Sequence, residues 1–229
     1  MLTHALKQEI IKNYDLNLLD LSNNLNKYIE KTKDIGQDFG GPSIYFHNEA
    51  IGEISKGFLG KRHLDMIYAV LPAWGMHRMG KTYTKVVDYN HFIEEIMKQK
   101  DIIYGIKNKK IDETIIPIIC NLLENIRVSV SDSYLVSSSK VLHHIIPNLI
   151  CPIDRKYSIN FLMYQKNTFK DTPQLKSEKE LSEIFITGMY SFIKKHETIL
   201  QNNVDNVFNT SVTKIFDNLI VAYGKSINE

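Results

Sequence analysis

The feature that most restricts this chain is a spacing of three and four between apolar residues, repeated from one segment to the next. Leu181, Ile184, Phe185, Met189, Phe192 and Ile193 follow it, as do Val212, Ile215, Phe216, Leu219, Ile220 and Tyr223. A helix turns by about 100° per residue, so each set forms one stripe that has to be buried against a neighbour. Thr210 or Ser211 stands where it can cap the second of these helices, because a hydroxyl oxygen accepts from the free N–H groups of a first turn. Ile115, Ile118, Ile119, Leu122, Leu123 and Ile126 give a further stripe, with Thr114 as the expected cap and Pro117 in the first turn, where a missing N–H does no harm. This helix is expected at the centre of the fold. Phe92, Ile93, Ile96, Met97, Ile103 and Tyr104 follow a cap at Asp88 or Asn90 as one helix, and Leu18, Leu21, Leu25, Tyr28 and Ile29 repeat the rhythm near the N-terminus.

Strand-like alternation is brief, limited to Tyr83–Val86 and Arg127–Val130, and calls for no more than a small hairpin. The pattern therefore predicts an all-α or nearly all-α single domain over residues 1–229. Glycine and proline gather at 36–43, 57–60 and 71–84. The last group marks a boundary near residue 85 that would separate two helical lobes, 1–85 and 86–229, with a cleft between them.

Composition narrows the function classes. Hydrophobic residues make up 43% and charged residues 24% of the chain, which suits a packed domain rather than a disordered tail. With 28 basic and 26 acidic side chains, the molecule as a whole has little pull on polyanions, so any contact with DNA has to be local. Lys61-Arg62, Lys107–Lys110 and Arg155-Lys156 are the local basic groups, and such groups also occur as ordinary solvated faces. Cys120 and Cys151 are the two cysteines, too few for a thiolate metal set, and no His-x-x-x-His, P-loop or dinucleotide fingerprint is present. No metal and no other cofactor is expected. No stretch approaches the length of a membrane span, and the expected address is the cytoplasm.

One stretch joins tight punctuation to reactive side chains: Ser137-Ser138-Ser139-Lys140, then His143-His144 and Pro147, then Pro152-Ile153-Asp154-Arg155. Ser139 is expected to cap a helix from Lys140 to about Ile146, which Pro147 ends. Asp154 is expected to cap the next. An amine in a first turn lies beside partial positive charge, and partial burial adds to the depression of its pKa, so it can act as a nucleophile near neutral pH. An ionised aspartate nearby can take a proton or steady an oxocarbenium-like centre. The pair suits attack at a sugar C1′. His143 and His144 point about 100° apart on a helix, which puts one in the core and leaves the other exposed. His144 and Arg155 are taken as substrate-binding. The same residues also fit a plainer account, in which Lys140 is a surface lysine and Asp154 only a cap.

This arrangement resembles the active-site segment of the helix-hairpin-helix DNA glycosylases, in which a lysine just after the hairpin is followed by a helix and then a catalytic aspartate. Lys140 and Asp154 occupy the matching positions. The family's glycine-rich hairpin is replaced here by Leu135-Val136-Ser137-Ser138-Ser139, and the interval between the two residues is shorter than usual in the family. What the resemblance implies is DNA as partner, extrusion of a damaged base, cleavage of its N-glycosidic bond, and nicking of the abasic strand by the lysine.

A second cluster, Trp74-Gly75-Met76-His77-Arg78-Met79-Gly80, holds the single tryptophan of the chain. Trp74 can stack on a base, Arg78 can grip a phosphate and His77 can donate to either. Trp74, Met76 and Met79 can equally plug the core while Arg78 caps a helix. Two functions stay open: a DNA glycosylase or abasic-site lyase with the 135–165 region facing loop 72–80 across a cleft, or a non-catalytic helical module that binds nucleic acid or a protein.

Overall fold

The computed structural model of the chain describes residues 1–38, 40–76, 85–170, 173 and 177–226. Among these residues there are eleven α-helices and no strand. The fold is all-α. Helices α1 (His4–Asn23), α2 (Leu25–Asp38), α3 (Pro42–Gly57) and α4 (Lys61–Leu71) precede a wide turn at Pro72–Met76. Next come α5 (Tyr89–Lys98), α6 (Lys100–Ile106), α7 (Ile116–Asn125) and α8 (Leu135–Ile145), followed by a π-type turn at Arg155–Ile159 that runs into the short α9 (Asn160–Met163). The long α10 (Glu178–Gln201) and α11 (Val212–Lys225) complete the chain.

Several caps fall where sequence chemistry puts them. Asp88 accepts from the N–H groups of Asn90 and His91 at the start of α5, and Ser211 accepts from Lys214 N–H at the start of α11. The single helix read through Phe92 to Tyr104 is two helices, joined at Gln99. The α7 stripe is led by a turn capped by Asp112 rather than Thr114, and its N–H acceptor lies 2.8 Å from Thr114 N. Of the two strand-like segments, Lys85 and Val86 meet Val128–Val130: Val87 N–H donates to Val128 O and Val130 N–H to Lys85 O, around one antiparallel bridge between Val86 and Ser129, while Tyr83 and Thr84 lie outside the described residues. No hairpin forms from them among the described residues.

The centre differs from expectation. Ile118 of α7 is exposed, whereas every residue of α11 from Thr213 to Gly224 is buried. Helix α11 packs on α2 and α10, and α8 is wedged among α3, α4, α7 and α10. Helix α1 lies on α9 and α10 rather than on α3 and α4, which ties the N-terminal end to the last third of the chain. Asn13 and Asn17 of α1 hold the end of α9 by donating to the carbonyls of Met163, Phe161 and Tyr164 at 3.0, 2.8 and 2.7 Å. A four-residue helix has little stability of its own, so these side chains fix the segment that follows Asp154.

At the crossing of α1 and α10, Gly188 leaves room for the ring of Tyr14; a Cβ there would collide with Tyr14 and press on Leu18. Tyr14 cannot retreat, because its hydroxyl donates to Phe185 O at 2.9 Å and its ring stacks on Phe185. Gly188→Ala is expected to destabilise the protein by about 1–3 kcal/mol in urea unfolding despite the better helix propensity of alanine. An unchanged midpoint would show that the two helices can separate freely.

Candidate active site

Lys140 sits in the middle of α8, not in its first turn. The helix begins five residues earlier than expected because a distant carboxylate caps it: Glu178 accepts from the N–H groups of Tyr134 and Leu135 at 2.8 and 2.7 Å. The three serines are inside the helix and bond back to it, Ser137 and Ser138 to Tyr134 O and Ser139 to Val136 O. A helix-dipole contribution to the lysine pKa is thereby lost. Burial replaces it. Lys140 is 9% exposed, and desolvation holds its amine below the usual lysine value against the opposing pull of Asp154 and Asp217. Its Nζ donates to Trp74 O at 2.8 Å.

Asp154 caps the turn that leads to α9, accepting from Tyr157 N–H at 2.7 Å. It is partly accessible and lines the same cavity as Lys140. Burial pushes its carboxyl up to about 6; the Tyr157 N–H opposes the rise, Asp217 adds to it, and the Lys140 charge opposes it again. The two groups feel each other's charge without forming an ion pair among the described residues.

The cavity has a volume of about 770 Å³ and is walled by the N-terminal half of α3, the turn at 72–76, residues 129–133, α8, residues 152–157 and α11. It falls within the size range of small-molecule sites. Trp74 forms part of the wall, stacked on His47 with ring centroids 5.4 Å apart, and its indole N–H donates to Ser43 O. Lys85, Arg155 and Lys156 are basic members of the lining, and the exposed Arg155 also donates to Ser133 Oγ at 3.3 Å. Of the residues singled out from sequence, Lys140, Asp154, Trp74 and Arg155 thus meet at one hollow. His77 and Arg78 lie outside the described residues.

His144 does not reach the cavity. Both His143 and His144 are fully buried, so the expectation that one would be exposed fails: α8 is covered on two sides. His144 Nδ1 lies 2.7 Å from Lys140 O, which demands a proton on Nδ1 and leaves Nε2 as an acceptor. His47 Nδ1–H then donates to that Nε2, and Thr210 hydroxyl donates to His47 Nε2, each at 2.9 Å. Desolvation lowers the His144 pKa to about 3 and that of His47 still further, so the chain of rings is neutral. His144 braces the wall behind Lys140 and Trp74, while His47 also lines the cavity. Among the described residues, no group of three or more His, Cys, Asp or Glu side chains is placed to hold a metal ion.

Sequence reasoning missed the floor of the cavity. Lys214, Asp217 and Asn218 of α11 line it, with Lys214 Nζ donating to Asp217 Oδ2 and Asn218 Oδ1, both at 2.6 Å, and standing over the rings of Trp74 and Phe208. Their spacing of three and four places them on one side of the helix, which reads as a solvated face until the fold shows that side covered too. No protein-family model, no curated protein and no solved structure matches this chain. The chemistry of the cavity is therefore read from its own residues.

The raised pKa of Asp154 has a consequence for stability. The folded state holds the Asp154 proton up to about pH 6, against 3.8 for a free side chain, so it binds more protons than the unfolded state in that window. Stability then falls as pH rises through it. Asp154→Asn keeps an N-cap and removes the ionisation. It is expected to be more stable than the wild type by about 1–2 kcal/mol at pH 7, a value reduced for the partial access of Asp154 to the cavity. The difference should shrink to nothing below about pH 4, as followed by urea unfolding across pH.

Proposed function

We propose that this protein is a DNA glycosylase or abasic-site lyase in which Lys140 is the nucleophile and Asp154 its acid–base partner. One observation carries the reading: an amine depressed by burial and a carboxyl raised by burial face one cavity of about 770 Å³ with an indole in its wall. Two groups whose pKa values are moved towards each other can exchange a proton near neutral pH. The contact to Trp74 O uses one N–H of Lys140, so the neutral amine keeps its lone pair for attack while its direction is held.

On an extruded nucleotide, the Lys140 nitrogen bonds to C1′ as the base departs with the glycosidic electron pair, and Asp154 takes the proton lost from the nitrogen. The nitrogen lone pair then expels O4′, which takes the C1′–O4′ electron pair and the proton held by Asp154, and leaves a protonated imine between Lys140 and C1′. An abasic site reaches the same imine directly: its C1′ aldehyde condenses with the amine and releases water. Trp74 stands in the wall of the space a base would enter, and Arg155 and Lys156 offer charge for the flanking phosphates. The buried free thiols of Cys120 and Cys151 go with a reducing, intracellular setting for such an enzyme.

A non-catalytic nucleic-acid- or protein-binding module is the second reading, favoured by the contact that already occupies Lys140 on Trp74 O. Borohydride separates the two. Wild-type protein mixed with abasic-site DNA and borohydride is expected to give a covalent adduct, with Lys140→Ala giving none and Asp154→Asn slowing its formation by about 100-fold. Adduct formation should rise with pH through about 6, where Asp154 ionises. Absence of an adduct in the wild type leaves the binding module as the surviving account.

A further inference from the structure

A stretch of chain that begins at the cavity mouth carries only positive charge. Residues 155–170 contain Arg155, Lys156, Lys166 and Lys170 and no acidic side chain, while the rest of the chain carries 24 basic against 26 acidic residues. The fold gathers these cations. Asn160 is buried and clamps the two ends of the segment together: its Nδ2 donates to Lys156 O and Lys170 O, both at 2.7 Å, and its Oδ1 accepts from Lys170 N–H at 2.8 Å. Lys156 itself borders the cavity. Lys166 stands over the ring of Tyr223, next to Gly224, against which the ring of the cavity-lining Tyr157 closes.

Each lysine also has an aromatic ring beneath it. Lys156 lies over Tyr157 at 5.2 Å, Lys166 over Tyr223 at 4.7 Å and Lys170 over Tyr164 at 4.4 Å, and Lys166 Nζ also donates to Tyr28 hydroxyl. A ring under an ammonium restricts its motion and occupies the face on which a base would stack. The rings therefore serve the cations and do not read bases. Asp20, whose charge is felt at Tyr223, is one carboxylate beneath this surface.

We infer that Arg155, Lys156, Lys166 and Lys170 form a track for the phosphate backbone of a nucleic acid, leading from the cavity mouth across the face of α9 and α11 and gripping the strand without regard to sequence. The direction of the track rests on the reading of the cavity as a nucleotide site; the binding itself does not require the chemistry. Four phosphate contacts predict that the affinity for undamaged duplex DNA falls with salt at a log–log slope of about −3 to −4. The duplex carries a fluorescent label, and binding is followed by anisotropy with Lys140→Ala as the parent protein.

Adding Lys166→Gln and Lys170→Gln should lower affinity at least tenfold and reduce the slope by about two. Lys109→Gln with Lys110→Gln removes the same charge from exposed positions elsewhere and should change neither. Because Lys166 also bonds Tyr28, Lys170→Gln alone is measured as well; it should reduce the slope by about one with an unchanged melting temperature. A flat salt dependence, equal losses in the two double variants, or equally tight binding to phosphatidylserine vesicles through the same lysines would each overturn the track. Duplex binding without a borohydride adduct in the wild type keeps the track and removes the lyase. An adduct that forms equally well in the Lys166→Gln, Lys170→Gln variant removes the track and keeps the lyase.

Discussion

Helix α8 is buried at Leu135 and from Ser137 to Ile145, yet six of the residues in that stretch are polar: three serines, a lysine and two histidines. An unpartnered polar group inside a protein is penalised by about 1–3 kcal/mol; each of these six side chains makes at least one hydrogen bond, while His143 Nε2 is left without a partner. Glu178 supplies its N-terminal cap from α10, and Ser139 Oγ accepts from Ile153 N–H at 3.0 Å, which draws the segment bearing Asp154 against the helix. His143 donates to Ile150 O at 2.7 Å and His144 to Lys140 O. Lys140 reaches the carbonyl of Trp74 across the cavity wall. The bonds from Glu178, Ile153, Ile150 and Trp74 each bring a separate part of the chain to α8, and Ile153 and Trp74 line the candidate site.

The same burial sets the electrostatics. Two amines and two carboxyls, Lys140, Lys214, Asp154 and Asp217, share one hollow, where partial burial leaves charges less screened than in bulk water. Lys214 and Asp217 form a close pair with Asn218 as third partner, which fixes that charge in place. Lys140 and Asp154 are left without such a partner and respond to desolvation, the amine downwards and the acid upwards. A buried acid that weakens the fold when it ionises is a feature usually kept for what it does rather than for how it packs.

Much of this was legible in the residues. Periodicity identified the helices because burial of one stripe repeats every turn, and short-range caps such as Asp88, Asp154 and Ser211 were visible because donor and acceptor lie within three residues. Lys140, Asp154, Trp74 and Arg155 could be named for their chemistry. The start of α8 could not be read, since its cap comes from Glu178, 43 residues away in the chain from Leu135. His144 was misplaced because a one-sided helix was assumed where two sides are covered. Lys214, Asp217 and Asn218 were passed over because the polar face of an amphipathic helix looks the same whether it meets water or an internal cavity.

The amino-acid order by itself determined the helical class, the positions of most helices and the residue types able to carry chemistry, all of which depend on interactions within a turn or two of chain. Tertiary structure alone decided which amine is dehydrated, which carboxyl holds its proton, and which lysines cluster beside the cavity. Those properties depend on dielectric surroundings and on charges brought together from distant segments, and neither exists until the helices have packed.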